Sequence, residues 1–181
     1  GEKIAIVGDN GSGKSTFINA LIGNEVLPNG GDPVTAKIYE IKQSTAPDTA
    51  RIRFAYHDDP IDLRFESGRF NIYQGDKTSD ILTELVQLIA EYSQEDLITV
   101  VNKALEFINA YEKVDADTID ISSVIQVEVP FSPNGILGQS RNNFVIFDTP
   151  GSNSASNADH SKVLEEALQG HHEMGEHGLI G

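Results

Sequence analysis

The sequence feature that most constrains the fold is a glycine-rich stretch close to the start of the chain. It reads Gly8-Asp9-Asn10-Gly11-Ser12-Gly13-Lys14-Ser15-Thr16 and fits the pattern G-x-x-x-x-G-K-[S/T]. In this pattern the loop amides, the lysine and the N-terminus of the next helix surround the β- and γ-phosphates of a nucleotide. The serine hydroxyl is placed to contact Mg²⁺. The stretch therefore predicts a phosphate-binding loop, with Lys14 on the phosphates and Ser15 on the metal.

The residues on either side of this loop have the patterns of a strand and a helix, as the motif requires. Ile4–Val7 is an unbroken apolar run, typical of a central strand that is buried on both faces. Ser15–Gly23 carries apolar residues at helical spacing and ends on a glycine, which predicts a helix with one buried face. A glycine turn that binds nothing is the alternative, and this context disfavours it.

Composition narrows the classes of partner. The 181 residues are enough for one domain with a real core. Thirteen basic and 28 acidic residues give a formal net charge of −15, which argues against nucleic acid or an anionic membrane surface as a direct partner. The sequence has no cysteine and no apolar run long enough to span a bilayer. We therefore expect a cytoplasmic protein.

Alternating and continuous apolar runs predict strands in the middle and late parts of the chain. Lys37–Lys42 and Arg51–Tyr56 are predicted strands that could form a hairpin with each other. Val124–Val129 and Asn143–Asp148 are a second such pair. His57–Lys77 is mixed and polar, and its pattern predicts neither a helix nor a strand.

Two adjacent segments carry apolar stripes at helical spacing. Thr78–Tyr92 and Gln94–Lys113 are predicted helices, with Ser93 as the N-cap of the second and Asp96 in the capping-box position. We expect a helical hairpin whose stripes pack on each other or on the core, in preference to a lid or a partner-binding surface. A further helix is predicted for Lys162–Gln169.

A second motif follows the last apolar strand. Asp148-Thr149-Pro150-Gly151 fits D-x-x-G, and an aspartate after four apolar residues is also the Walker B pattern. A carboxylate at the C-terminal end of such a strand sits near the phosphate loop and can hold Mg²⁺ through water. The backbone N–H of Gly151 can reach a γ-phosphate, which would make the next loop sensitive to GTP versus GDP. An Asp-Thr-Pro-Gly turn without a ligand is the alternative.

A GTPase also needs a threonine between these two motifs that reaches Mg²⁺ when the γ-phosphate is present. Thr35 lies in a loop just before a predicted strand, which is the right position for this role. Thr45 and Thr49 are rivals for it, and we prefer Thr35 because of its position.

These motifs and the residues around them resemble the GTPase domain of the dynamin superfamily. The resemblance rests on Gly8–Gly23, on Pro33–Ala36 and on Asp148–Gly151. The continuation Ser152–Asn157 is most similar to bacterial dynamin-like proteins.

The resemblance implies an α/β fold, in which a P-loop NTPase (GTPase-like) core is built around a mixed β-sheet. Residues 1–45 and 124–169 would form this core, and residues 46–123 would be an insertion that carries the helical hairpin. We expect a partial GTPase domain over residues 1–169, with its C-terminal strands missing, and a flexible tail over residues 170–181.

The resemblance also implies GTP hydrolysis with Mg²⁺ as the cofactor. Lys14 and Ser15 would serve the phosphates and Mg²⁺. Thr35 would coordinate Mg²⁺ and help to place the attacking water, and Asp148 and Gly151 would serve Mg²⁺ and the γ-phosphate. The family is known for nucleotide-dependent self-association across the GTPase face, here a homodimer, and for membrane remodelling by regions that lie outside this chain.

Two features depart from the family pattern. The guanine-reading motif [N/T]-K-x-D does not follow Asp148, and Asn102–Leu105 begins like that motif but lacks its aspartate and precedes Asp148. Asn10 stands where the family usually has a glutamine near the attacking water, and its side chain is shorter. Two alternatives stay open: a truncated, non-catalytic nucleotide-binding or interaction fragment, and a P-loop ATPase. Against the ATPase, Asp148 is followed by Thr149 and not by a catalytic glutamate.

Overall fold

The computed structural model describes residues 2–7, 13–28, 37–66, 68–111, 121–139, 144–149 and 179–180. The strands within these residues are β1 Glu2–Val7, β2 Ile38–Gln43, β3 Thr49–Tyr56, β4 Asp59–Glu66, β5 Arg69–Gln74, β6 Val124–Val129, β7 Phe144–Thr149 and β8 Leu179–Ile180. The helices are α1 Lys14–Ile22, α2 Asp80–Glu91 and α3 Leu97–Tyr111. None of these described helices is both long enough and apolar enough to cross a membrane.

The described strands form one mixed sheet in the order β5-β4-β3-β6-β2-β7-β1-β8. β1 runs parallel to β7 and β8, β2 runs parallel to β6, and the β2–β7 pair is antiparallel. Ile4 and Ala5 of β1 are buried, as are Val145 and Ile146 of β7, because this central part of the sheet is covered on both faces. The predicted α/β fold with a mixed sheet is confirmed.

Neither of the two hairpins suggested by the sequence forms. β2 pairs with β6 and β7 and not with β3, while β6 pairs with β2 and β3 and not with β7. The physical reason is that β6 lies between β2 and β3, and β2 lies between β6 and β7. Alternation of apolar residues fixes which face of a strand is buried, but it does not select the neighbouring strand.

The segment that had no predicted structure forms β4 and β5, which extend the sheet as an antiparallel meander beside β3. The β3–β4 turn consists of His57 and Asp58, with φ angles of 48° and 63°. Two-residue hairpin turns of this conformation usually contain Asn-Gly or Asp-Gly. Because neither residue is a glycine, the turn was not visible in the sequence pattern.

The predicted helical hairpin is confirmed, with shorter helices than expected. α2 begins after Ser79, whose hydroxyl accepts a hydrogen bond from the backbone N–H of Leu82. α3 begins at Leu97, and its cap is Asp96, which accepts a hydrogen bond from Thr99 N at 2.8 Å. The prediction of Ser93 as the cap is therefore wrong, because the chain makes a further turn between Tyr92 and the start of α3.

The stripes of both helices pack into the core, as expected. The buried residues of these helices are Ile81, Leu82, Leu85, Ile89, Val101, Ala104, Leu105 and Ile108. They join one hydrophobic cluster with Ile52 of β3 and Leu63 of β4, and α1 contributes to the same cluster through Ile18. The three described helices thus pack against the same face of the sheet.

Two predictions concern the C-terminal segment. The helix predicted for 162–169 lies outside the described residues. The second prediction is a flexible tail over residues 170–181. Within it, Leu179 and Ile180 lie beside Lys3 and Ile4 as a two-residue parallel strand.

Candidate phosphate-binding site

β1 and α1 flank the glycine-rich loop in the predicted order. β1 ends at Val7, and Gly13 is the N-cap of α1 with φ 83° and ψ 14°. This conformation is left-handed, and an L-residue there costs roughly 1–2 kcal/mol, so the backbone itself favours glycine. A Cβ at Gly13 would meet no atom within 4 Å, so the requirement is conformational and not steric. The Gly13 carbonyl accepts a helical hydrogen bond from Phe17 N at 2.9 Å.

The N-terminus of α1 is suited to an anion. Its first turn contains no acidic residue, although the whole chain carries a net charge of −15. Unpaired backbone N–H groups and the helix dipole give such an end a partial positive charge. Lys14 and Ser15 are half-buried at this end, and Thr16 is exposed. The lysine adds a full positive charge to that of the helix terminus.

β7 brings the second motif to the same edge of the sheet. Its backbone runs parallel to β1, with Asp148 in register with Ile6 and Thr149 in register with Val7. Asp148 therefore lies level with the end of β1, where the glycine-rich loop begins. On its other side Asp148 is in register with Tyr39, near the start of β2. The end of β1, the end of β7 and the start of β2 thus meet at one edge.

This arrangement distinguishes between the three threonines considered for the Mg²⁺ contact. Thr45 and Thr49 follow the far end of β2, at the sheet edge opposite to Asp148, because β2 is antiparallel to β7. Thr49 also has a local role, since its hydroxyl donates to the carbonyl of Ala46 at 3.0 Å. Neither rival can approach the phosphate loop from that edge. Thr35 comes shortly before β2 in the sequence and lies outside the described residues.

Several predicted site residues lie outside the described part of the chain. They are Gly8, Asp9, Asn10, Gly11, Ser12, Thr35 and Gly151. The described part includes Gly13, Lys14, Ser15 and Thr16, together with the backbone of Asp148.

The segment that begins like a guanine-reading motif has a structural role. Asn102 lies within α3, and its Nδ2 donates to the carbonyls of Glu25 at 3.1 Å and Val26 at 3.2 Å. Lys103 forms an ion pair with Glu106 at 3.5 Å. Asn102 therefore holds α3 against the loop that follows α1. This structural role agrees with the sequence analysis, in which Asn102 was not taken as a guanine-reading residue.

Asn19 fixes the C-terminal end of α1, and sequence reasoning missed it. Its side chain is buried, and its Oδ1 accepts from Val26 N at 3.0 Å and Leu27 N at 2.9 Å. Its Nδ2 donates to the Leu27 carbonyl at 3.1 Å. In the sequence, a single asparagine in an amphipathic helix looks like any other polar residue. Its role was missed because its hydrogen-bond partners depend on how the chain folds back after Gly23.

A second loop, residues 131–139, also holds this end of α1, and we call it the capping loop. Its backbone N–H groups donate to carbonyls in the last turn of α1, which have no partner within the helix. The three bonds are Ser132 N to Ile22 O at 2.8 Å, Leu137 N to Leu21 O at 3.0 Å and Ile136 N to Ala20 O at 3.4 Å. Gly135 makes this approach possible, since a Cβ there would lie 2.5 Å from Gly23 N. The helix that starts at the phosphate loop is thus anchored at its far end.

The strand, the glycine-capped helix and the aspartate-bearing neighbouring strand have the arrangement of a P-loop GTPase fold. The sequence profile of the dynamin family matches residues 4–174 of this chain. The chain therefore belongs to the dynamin family, as the resemblance indicated, and is a GTPase domain of that family.

Curated relatives and a solved structure are similar to this chain. Two Escherichia coli sequences of clamp-binding protein CrfC, one of them from strain K12, are each 26% identical over 192 residues. The match covers 91% of this chain and 25% of the relative, so the chain spans about a quarter of the length of these relatives. One solved structure, of an oligomerised bacterial dynamin pair linked to long range sensing and tethering of membranes, is 19% identical with a TM-score of 0.42. It is matched over 90% of this chain and 25% of its own.

Proposed function

We propose that this domain binds GTP in the presence of Mg²⁺ and hydrolyses it to GDP and phosphate. The observation that supports this best is the register of β7 on β1, with Asp148 level with Ile6. It brings the D-x-x-G strand next to the strand that leads into the phosphate loop. Membership of the dynamin family supports GTP as the nucleotide.

The proposed contacts follow the motifs. Lys14 binds the β- and γ-phosphates together with the N-terminus of α1. The backbone N–H of Gly151 contacts the γ-phosphate, and Asn10 lies near the attacking water. The remaining nucleotide-binding residues are Gly8, Asp9, Gly11, Ser12, Gly13, Ser15 and Thr16.

The residues that we propose for the metal have the chemistry that Mg²⁺ requires. Hydroxyl and carboxylate oxygens are the hard ligands that this ion prefers, and Ser15, Thr35 and Asp148 would hold it. Among the described residues no group of three or more His, Asp or Glu side chains forms a metal site. Mg²⁺ usually keeps several waters and is held by few protein groups together with the phosphates. When bound, the ion would neutralise charge on the phosphate oxygens.

The protein's contribution to hydrolysis is mainly positioning and charge stabilisation. Phosphoryl transfer needs little covalent chemistry from the protein, because the transferred group is stabilised by fixed positive charges around its oxygens. Lys14 and the helix N-terminus supply such charges, and the anchored C-terminal end of α1 keeps that terminus in place. Thr35 helps to orient the water that attacks the γ-phosphate.

Further parts of the proposal concern the parent protein. We propose a cytoplasmic location, self-association of two copies across the nucleotide face, and membrane remodelling through regions outside this chain. A second candidate is a fragment that binds nucleotide without catalysis or base preference.

The proposal is tested by phosphate release from GTP and from ATP. We expect GTP hydrolysis that Lys14→Ala lowers by about a hundredfold or more, the usual effect of removing one charge-stabilising donor. Lys103→Ala is the matched control, because Lys103 lies on α3 and pairs with Glu106. No hydrolysis of GTP by the wild-type chain, or equal rates in the wild type and Lys14→Ala, would reject the proposal. Faster hydrolysis of ATP than of GTP would favour the ATPase.

A further inference from the structure

The strand β5 forms one lateral edge of the sheet, and its outer side has no strand beside it. Among the described strands only β4 pairs with β5. No residue of β5 takes part in the backbone hydrogen bonds that the described loops, turns and caps make. In an antiparallel pair, every second residue of a strand directs its N–H and C=O groups away from its neighbour. Within the described part of the chain, the outer side of β5 therefore presents a row of unpaired backbone donors and acceptors, which is a template for a further strand.

The sequence of β5, Arg-Phe-Asn-Ile-Tyr-Gln, has few of the features with which proteins protect a sheet edge. Those features are proline, lysine, a charge that points inward, a very short strand and a bulge. Of these, β5 has only a bulge, because its register on β4 shifts between Asp62 and Leu63. The shift lies beside Tyr73, near the end of the strand, and leaves residues 69–72 in regular pairing. The edge is therefore open to pairing over most of its length.

The side chains of β5 divide between the two faces of the sheet. Phe70 and Ile72 are half-buried and pack against the core, on the face that carries the described helices. Arg69 and Asn71 are exposed on the opposite face, because successive side chains of a strand alternate. Tyr73 also lies on that face and is 61% exposed, with an arginine guanidinium of β4 at 3.7 Å from the centre of its ring. Each face of β5 thus offers side chains to a strand that pairs with it.

We propose that β5 pairs antiparallel with β5 of a second copy of this chain, with Asn71 opposite the same residue of the partner. The two-fold axis of such a pair is perpendicular to the sheet, so the helix-bearing faces of both copies lie on one side. Because side chains alternate, two residues that lie opposite each other then have numbers with an even sum. A register centred on Asn71 meets this condition and pairs all of residues 69–73.

In this register the residues that lie opposite each other are complementary on both faces. On the helix-bearing face, Phe70 of each copy lies opposite Ile72 of the other, and aromatic–β-branched pairs stabilise neighbouring strands. On the other face, Arg69 lies opposite Tyr73, and a guanidinium over a tyrosine ring is a favourable cation–π pair. A register centred on Phe70 would leave Tyr73 unpaired, and one centred on Ile72 would leave Arg69 unpaired. The strand therefore complements itself, which favours a second copy as its partner.

The charge near β5 permits this contact. Residues 62–77, which include most of β4 and all of β5, carry three acidic and three basic residues, so the net charge of −15 belongs to the rest of the chain. The next element, α2, carries three acidic residues and no basic one. Two copies therefore repel each other at long range, and salt screens this repulsion, with a Debye length of about 8 Å at about 0.15 M. Added salt should strengthen the pairing.

This contact is separate from the nucleotide site and does not rest on the proposed hydrolysis of GTP. The strands β4, β3, β6, β2 and β7 lie between β5 and β1. With neighbouring strands about 4.8 Å apart, β5 and β1 are roughly 29 Å from each other. We therefore expect β5 pairing without nucleotide, in contrast to self-association across the nucleotide face.

The test is sedimentation velocity of the nucleotide-free chain at about 0.15 M salt. We expect a reversible monomer–dimer equilibrium with a dissociation constant of roughly 10–1,000 µM, because an edge contact between two six-residue strands is small. Asn71→Lys and Asn71→Asp each place like charges opposite each other, so each should raise the dissociation constant by about fivefold or more. An equimolar mixture of the two variants brings opposite charges together and should restore pairing to about the wild-type level.

Asn134→Lys and Asn134→Asp are the matched controls. Asn134 is exposed in the capping loop, and its variants have the same net charges as the Asn71 variants. Both controls should leave the dissociation constant unchanged. The wild-type chain supplies a second readout, since its dimerisation without nucleotide and its increase with salt need no variant. The proposal therefore stays testable where an Asn71 variant fails to fold.

Several outcomes would overturn the proposal. A wild-type chain that stays monomeric up to about 1 mM would exclude the pairing. Dimerisation that requires GTP would belong to the nucleotide face. Asn71 variants that dimerise like the wild type, or a mixture that dimerises no better than either variant alone, would reject the register centred on Asn71. Dimers that dissociate when salt is raised from about 0.02 M to about 0.15 M would contradict pairing through an edge without net charge.

Discussion

Replacing Asn19 by alanine gives a prediction whose sign depends on long-range structure. Asn19 lies on α1, where alanine is the better helix former by roughly half a kcal/mol. A purely local view therefore predicts slight stabilisation. In the structure, however, the Asn19 side chain is the partner of two backbone N–H groups and one carbonyl in the loop that follows α1.

The expected loss outweighs the local gain. Val26 and Leu27, whose N–H groups donate to Asn19, are 0% and 1% exposed. A buried polar group left without its partner costs about 1–3 kcal/mol. The N–H of Val26 also donates to the Asn24 carbonyl at 2.9 Å, so the groups that lose their partner are the N–H and the carbonyl of Leu27. With two such groups, Asn19→Ala should lower the free energy of unfolding by about 2 kcal/mol or more. This is a large share of the roughly 5–15 kcal/mol of a typical domain.

The assay is denaturant unfolding combined with amide hydrogen exchange. We expect Asn19→Ala to lower the unfolding midpoint and to remove protection at the amide of Leu27, whose N–H donates to Asn19. Gln87→Ala is the matched control, since it removes an exposed amide side chain from α2 and should change stability by less than about 0.5 kcal/mol. A stability change below about 1 kcal/mol for Asn19→Ala, with protection retained, would refute this argument.

Three further predictions concern the β3–β4 turn, the capping loop and the carboxylate of Asp62 on β4. Asp58→Gly should stabilise the chain by about 1 kcal/mol in denaturant unfolding, because φ is 63° there; a lower unfolding midpoint would count against it. Gly135→Ala should destabilise the chain and weaken GTP binding, because the new Cβ would lie 2.5 Å from Gly23 N; unchanged thermal stability would contradict the close approach. For Asp62, burial raises the pKa, but hydrogen bonds and charge from two arginines hold the pKa below its ordinary value. This stabilisation is present above about pH 4 and is lost as pH falls through the folded pKa, so the stability gap between wild type and Asp62→Asn should shrink on acidification. A gap that is constant between pH 6 and about pH 3 would contradict this.

The parts of the fold that could be predicted depend on local patterns. The apolar run of β1, the glycine-rich loop and the helical spacing of α1 lie within one short stretch, and each has one strongly preferred local structure. The glycine at the end of α1 was predicted for the same reason, and Gly23 has the left-handed φ of 78° that this position favours. The α2–α3 stripes were predicted because they repeat over several turns.

The parts that could not be predicted depend on distant contacts. The choice of β6 as the neighbour of both β2 and β3 involves residues that are far apart in sequence. The His57–Asp58 turn lacks glycine, so β4 and β5 were missed. The cap at Asp96 instead of Ser93 was missed because an extra turn separates the two helices. Asn19 acts through a loop whose path the sequence pattern does not specify.

The measurement that tests the central claim most directly is the titration of this chain with fluorescent GTP and ATP analogues in the presence of Mg²⁺. The account predicts saturable binding that prefers GTP and that Lys14→Ala weakens by about tenfold or more, since a charge-assisted contact to phosphate is lost. Binding that is the same in wild type and Lys14→Ala would contradict a phosphate site at the start of α1. Equal affinity for GTP and ATP would contradict the assignment of GTP as the nucleotide of this chain.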